Sequence, residues 1–162
     1  MTGKADERKC LAVVKVRGTI SAQCEARETL DMLRLARTNH AVLVDNRPSY
    51  MGMLYRVQNY VTWGEVSKET VALLLKKRGR LAGGKKLTDE YAQKVGYKSL
   101  DALAEAIASC KAEYQKLPNV QLVFKLPPPS KGFKGKTKKS YSAGGEAGYR
   151  GEKINELIKR MA

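Results

Sequence analysis

The chain has little of what most reactive sites are built from. It holds one histidine, His40, and three cysteines, Cys10, Cys24 and Cys110, none close to another. An odd number at wide spacing argues against a disulfide framework and against a CxxC metal or redox site. A single imidazole leaves no second ring for a zinc or di-iron centre. Apolar runs last only a few residues, far short of the ~20 a membrane span needs. Residues 1–9 are polar and charged, without the apolar stretch of a signal peptide. The expectation is a reduced, cytosolic chain with no membrane partner. Acid is scarce as well: 16 Asp+Glu stand against 31 Lys+Arg in 162 residues, a formal net charge of +15. That excess points to a polyanionic partner.

What is present suffices for a core. Hydrophobic residues make up 43% of the chain, and a chain of this length buries roughly 70% of its unfolded surface without disulfides or metal. Residues 10–16 are short, apolar and β-branched and end at Arg17-Gly18, a strand followed by a turn. Residues 21–37 change period: Ala26, Leu30, Leu33 and Arg37 follow a helical face, with Arg34 and Arg37 in its last turn. Ala41-Val42-Leu43-Val44 is a second buried strand, and Ser49 is placed to cap a helix striped by Tyr50, Met53, Leu54, Val57 and Val61. An extended piece over residues 61–66 closes a β-α-β-α-β unit, a small sheet with helices on one face. Beyond it, Ser67, Thr88 and Ser99 each open a helix, the last running towards Tyr114. Residues 120–126 alternate as a half-buried strand, ended by three prolines. Residues 130–150 are rich in Gly, Lys and Ser, a composition unable to offset backbone ordering of ~1–2 kcal/mol per residue, so order there is expected only on a partner. A helical pattern returns over 152–161. Three parts follow: residues 1–66, 67–126 and 127–162.

The charge is uneven. Residues 76–86 carry Lys76, Lys77, Arg78, Arg80, Lys85 and Lys86 with no acid, and residues 131–139 carry Lys131, Lys134, Lys136, Lys138 and Lys139, again with no acid. Such runs are often only solvated faces. Two acid-free clusters in one small, strongly basic chain favour a phosphate ridge. Phe133, Tyr141 and Tyr149 interleave with the second cluster as rings able to stack on bases.

Catalytic and cofactor motifs fail on inspection. Ser130-Lys131-Gly132-Phe133-Lys134-Gly135-Lys136-Thr137 approaches a phosphate-binding GxxxxGK[ST] loop, with Ser130 in place of the first glycine. The prolines before it offer no N–H groups, and the residues after Thr137 make a poor helix. His40 has no nucleophilic partner and reads as structural or solvent-facing. Cys24 and Cys110 read as core filling, and Trp63 and Tyr60 as packing. No catalysis and no cofactor are expected.

Specific stretches carry a resemblance. Lys15-Val16-Arg17-Gly18, Thr29-Leu30-Asp31-Met32-Leu33-Arg34-Leu35, and Ala41-Val42-Leu43-Val44-Asp45-Asn46 followed by Gly52-Met53-Leu54 resemble the universal L-thirty family of large-subunit ribosomal proteins. The continuation through Tyr60-Val61-Thr62-Trp63-Gly64 and Leu75-Lys76-Lys77-Arg78-Gly79 to Phe124-Lys125-Leu126 is similar to the family's long archaeal form, related to the eukaryotic L-seven proteins. Gly144-Gly145-Glu146-Ala147-Gly148-Tyr149-Arg150 is the most distinctive piece. The resemblance implies an α+β fold. Its ferredoxin-like β-α-β-α-β core carries a three-stranded antiparallel sheet, followed by a helical extension and a basic tail. It implies a structural role in the ribosome, as a single copy bound to large-subunit ribosomal RNA near the five-S RNA and among neighbouring ribosomal proteins. By position, Arg17, Arg34 and Arg37 match basic positions of the family's first strand and helix, and Arg47 and Arg56 fall in its second loop and helix. Together with the two clusters, Tyr141 and Arg150, these are the expected RNA-contacting residues. The rival expectation is a non-ribosomal RNA-binding or RNA-chaperoning protein.

Overall fold

A computed structural model describes residues 7–162, so the first six positions of the polar start lie outside the described residues. The centre of the sheet is β1 (Cys10–Lys15), an apolar run closed by Lys15, in which every residue is buried. It pairs antiparallel with β2 (His40–Asp45) on one side and β3 (Val61–Glu65) on the other. These three strands are the antiparallel kernel expected from the resemblance. The sheet is larger, however. Six strands lie in the order β4-β2-β1-β3-β6-β5, with β4 (Phe124–Lys125) antiparallel to β2, and β6 (Gly145–Tyr149) and β5 (Lys136–Ser140) added in parallel beyond β3.

Strand β1 has no polar face because both faces are covered. On one side, Leu11 and Val13 meet Leu30 of α1 (Cys24–Met32), Leu54 of α2 (Pro48–Arg56), Leu35 and Trp63. This is the single helical layer expected for the first 66 residues. On the other, Cys10, Ala12 and Val14 meet α3 (Lys68–Arg78), α5 (Leu100–Ala108) and α6 (Ile154–Met161) through Leu74, Leu75, Leu103, Ile107, Leu157 and Ile158. Small strand residues there leave room for the leucines and isoleucines of the helices. Each such side chain contributes roughly 1.5–3 kcal/mol on burial. The extension is thus the second layer of the core, with α4 (Asp89–Val95) at its margin through Tyr91 and Ala92. The thiol of Cys10, inside this layer, is pushed up to about 12 by burial. Cys24, by contrast, is exposed at the start of α1 rather than filling a core.

Local backbone chemistry moves several boundaries. Helix α1 stops at Met32 instead of running to Arg37, because Arg34 is left-handed at φ 63°. Its N–H donates to the Asp31 carbonyl, the Leu35 N–H reaches back to Leu30, and the two leucines are buried together. This is a Schellman stop with arginine where glycine is usual. Helix α5 ends the same way at left-handed Cys110, leaving Tyr114 to stack on Phe124 at 5.0 Å from a separate turn. Pro48, with its φ preset for a first helical position, starts α2, so Arg47 rather than Ser49 is the flanking residue. Of residues 120–126 only Phe124 and Lys125 join the sheet; Val120 bridges Leu81, and the Gln121 N–H donates to the Arg80 carbonyl. Lys136 and Thr137 open strand β5 and not a helix.

The largest difference lies in the Gly- and Lys-rich tail, which orders on the protein itself. Arg150 and Glu146, each 6% exposed at the side chain, pair at 2.5 Å. Arg150 Nε donates to Thr62 Oγ1 at 2.7 Å, and the Gly135 N–H donates to Glu146 Oε1 at 2.8 Å. The Thr62 hydroxyl donates in turn to the Gly148 carbonyl. A Cβ on Gly145 would stand 2.1 Å from the Lys139 carbonyl oxygen, so no other residue fits there. The distinctive Gly-Gly-Glu-x-Gly-x-Arg stretch is therefore a lock that ties β5 and β6 to β3. Removing one partner of a buried pair leaves an uncompensated charge, typically costing 3–5 kcal/mol. Glu146→Gln is expected to lower the unfolding free energy in urea by about 3–5 kcal/mol and to open the lysines of β5 to trypsin. An unchanged urea midpoint would show that this pair does not hold the tail.

Candidate nucleic-acid interface

Strand register sorts the basic residues by position. Strand β1 ends, and β2 and β3 begin, at one end of the sheet: Val14 pairs with Ala41, and Lys15 with Val61. The segments on either side of α1 attach at that end, and they carry Arg17, Arg34 and Arg37. The N–H groups of Val16 and Arg17 donate to the Tyr60 carbonyl, and the Arg17 guanidinium lies 5.6 Å from the centre of the Tyr60 ring. Helix α2 runs back towards this end and has Arg56 in its last turn. Lys125 pairs with His40. The bonds between Arg80 and Gln121 and between Leu81 and Val120 hang the 76–86 loop beside the same strand end. Strand β6 meets β3 through Thr62 and Gly148, so Gly145 and its neighbour Lys136 project past the start of β3. Helix α6 also returns towards this end, where Arg160 donates to the Ser130 carbonyl at 3.1 Å and anchors the turn that bears Lys131.

Most of the expected residues are thereby brought together. Arg34, Arg37, Arg56, Lys77, Lys85, Lys86, Lys131, Lys136, Lys138 and Lys139 are exposed there, with Arg17, Arg78 and Arg80 half-buried. Two lysines of the set already have partners: Lys76 meets Asp101 at 2.7 Å and Lys134 meets Glu156 at 2.8 Å. The Arg80 guanidinium caps the end of α3 by donating to the Gly79 carbonyl at 2.9 Å.

Two residues are placed elsewhere. Arg47 sits at the opposite end of the sheet, paired with Asp45 at 2.6 Å and with Glu113. Arg150 faces the interior in the lock described above, its guanidinium 4.9 Å from the centre of the Tyr141 ring; Lys153 approaches the same ring at 5.8 Å. Tyr141 is thus already engaged by cations. Phe133 packs against the second core layer. Tyr149 lies at the far end, where its hydroxyl donates to Glu65 at 2.7 Å; this bond and burial push the hydroxyl up to about 12. That end carries the carboxylates Asp45, Glu65 and Glu113 beside Arg8, Lys9, Arg47 and Lys116.

The basic end includes groups the sequence did not single out. Lys15 is 2% exposed, its ammonium donating to the Ala36 carbonyl at 3.1 Å, and burial pushes its pKa down against the pull of Asp31. Lys125 and His40 face each other across β4 and β2. Burial, then Lys125, Arg37 and Lys15, hold the imidazole below the usual histidine range. A lysine inside an apolar strand and one histidine carry no charge-run signal, so the sequence offered no sign of them. Among the described residues no group of three or more His, Cys, Asp or Glu side chains is arranged to hold a metal ion, and no helix is long and apolar enough to cross a membrane. A surface of converging cations in Gly-containing loops suits phosphate contacts made by side chains and backbone.

Comparison with known proteins adds an independent line. The family model described as ribosomal protein L30p/L7e matches residues 11–61. The chain is 48% identical over 150 residues to the large ribosomal subunit protein uL30 of Thermofilum pendens, a match covering 92% of this chain and 96% of that one. To its counterpart in Methanopyrus kandleri it is 46% identical, over 90% of this chain and 99% of the relative. To that of Archaeoglobus fulgidus it is 46% identical, over 93% and 98%.

The lone histidine makes the electrostatics of this end measurable. An NMR titration of its imidazole is expected to give a midpoint below about 6.5, moving part of the way back in high salt as Lys125 and Arg37 are screened. A depressed pKa means that the unfolded chain binds the proton more readily. Stability should therefore fall as pH drops below the ordinary histidine range, and His40→Gln should remove that part of the decline. A midpoint at or above the ordinary value would contradict the clustering of cations around His40.

Proposed function

The chain belongs to the ribosomal protein L30p/L7e family, and from that membership we propose that it is a structural constituent of the large ribosomal subunit, bound to ribosomal RNA. The role is architectural, without catalysis or cofactor. The observation that carries the reading is the collection of cations at the end of the sheet where β2 and β3 begin. Residues 1–66 act as the docking core, with Arg17, Arg34, Arg37 and Arg56 towards RNA. Residues 67–126 contribute the loop of Lys77, Arg78, Lys85 and Lys86. Residues 127–162 contribute Lys131, Lys136, Lys138 and Lys139. Arg47 and Arg150 are left out of this contact set, since their guanidinium groups already meet carboxylates. The chain takes a single place in each cytoplasmic ribosome, near the five-S RNA, with protein neighbours at the opposite end of the sheet.

Phosphate contacts then dominate affinity. With about eight phosphates neutralised, the logarithm of the binding constant for large-subunit ribosomal RNA should fall with the logarithm of salt at a slope near −7. Replacing Lys131, Lys134, Lys136, Lys138 and Lys139 together by Ala should flatten the slope by about 3 to 4; an unchanged slope would remove the tail from the contact. In a lysate the chain should sediment with the large subunit after a moderate salt wash. A chain recovered free of subunits would favour the RNA-chaperone reading instead.

A further inference from the structure

Beside the left-handed bend at Arg34 the surface sinks into an open groove of about 520 Å³. Its rim carries the cations Arg34 and Lys125 with the His40 imidazole in the lining, and its other wall is the segment that carries Gln121, Leu122 and Val123. Among the described residues none that lines it is acidic, and Lys15 and Arg37 add positive charge next to His40. A volume in this range suits a small organic group.

Two details of this groove bear on what it holds. Leu122 is only half-buried and belongs to neither core cluster, so its apolar surface is turned to the groove without a packing role. Arg34 occupies a helix stop at φ 63° that glycine would fill without strain. The bonds of that helix stop hold Arg34 in place at the rim of the groove. An apolar wall under converging cations fits a flat, apolar-faced ring attached to a phosphate. A paired duplex offers phosphates but hides its base faces.

We propose that this groove holds one unpaired nucleotide of the bound RNA. Its base lies against Leu122 and Val123 under the Arg34 guanidinium, which is able to stack on a base as a planar cation. Its phosphate sits between His40 and Lys125, and the Gln121 amide lies at the base edge. The proposal rests on the RNA-binding reading and adds to it a preference for an unstacked base.

The test uses the full chain and two RNA hairpins of equal length, one fully paired and one with a single 4-thiouridine bulge. The bulged hairpin is expected to bind about tenfold tighter, to cross-link to residues 120–125, and to move the His40 imidazole resonance towards the protonated form as a phosphate arrives beside it. Leu122→Ser should bring the ratio of the two affinities to about one while leaving the paired hairpin's affinity and salt slope in place, which also reports that the variant is folded. Arg34→Gly should lower the ratio and yet raise the urea midpoint, because it relieves the left-handed bend. Equal binding of both hairpins by the wild-type chain, or a ratio unchanged in Leu122→Ser, would overturn the groove proposal and leave the RNA reading standing. Salt-dependent binding of neither hairpin would overturn both.

Discussion

The structure depends on burying one strand from both sides. Residues 10–15 are apolar throughout, apart from the final lysine, and every one of them is buried. A strand of that kind cannot leave a face to water; it needs a helical layer above and below. The first layer, α1 and α2, comes from the sequence between the strands of the kernel. The second, α3, α5 and α6, comes from the extension and from the end of the chain. The extension therefore covers the second face of the same sheet.

The position of the charge follows from the same arrangement. Connections leave the sheet at its ends, because loops must keep their backbone polar groups wet. With β2 and β3 both antiparallel to β1 and helices α2, α3 and α6 returning across the faces, several connections converge at one end. The basic residues lie in those connections. The opposite end takes Asp45, Glu65 and Glu113. Among the described residues, unpaired cations thus gather at one end, while the carboxylates of the other are paired with Arg47 and Lys116 or face Tyr149.

The tail is held by chemistry that composition hides. Glycine and lysine content argue for an open chain, and by number of residues that argument is sound. It fails because one carboxylate and one guanidinium, both nearly sealed from water, pair with each other. The remaining bonds go to Thr62, to the Gly135 N–H and to the Glu146 carbonyl. Burial of an unpaired charge is so costly that such a pair tolerates few alternative arrangements. The lysines of β5 then sit on an outer strand whose exposed charged side chains guard an otherwise open edge.

Much was legible in the residues alone. Apolar runs located β1, β2 and β3, and Ser67 and Ser99 marked helix starts at which their side chains do accept the expected backbone bonds. The ordered motifs pointed to the family, and the two acid-free clusters to most of the cationic surface. The rest depended on partners distant in sequence. Helix ends at Arg34 and Cys110 depend on a left-handed residue whose cost is met by buried leucine contact or by tight local bonding. Arg150 is one more cation by sequence, and only the fold surrounds it with Glu146 and Thr62. His40 and Lys125, too far apart in the chain to form any pattern, meet through one pair in an outer ladder. The sequence by itself determined the periodicities, the net charge and the kinship, because each is a property of residues near one another or of their sum. Only the tertiary structure decided which cations face outward together and which are neutralised inside, because that depends on strand register and on the cost of desolvating a charge.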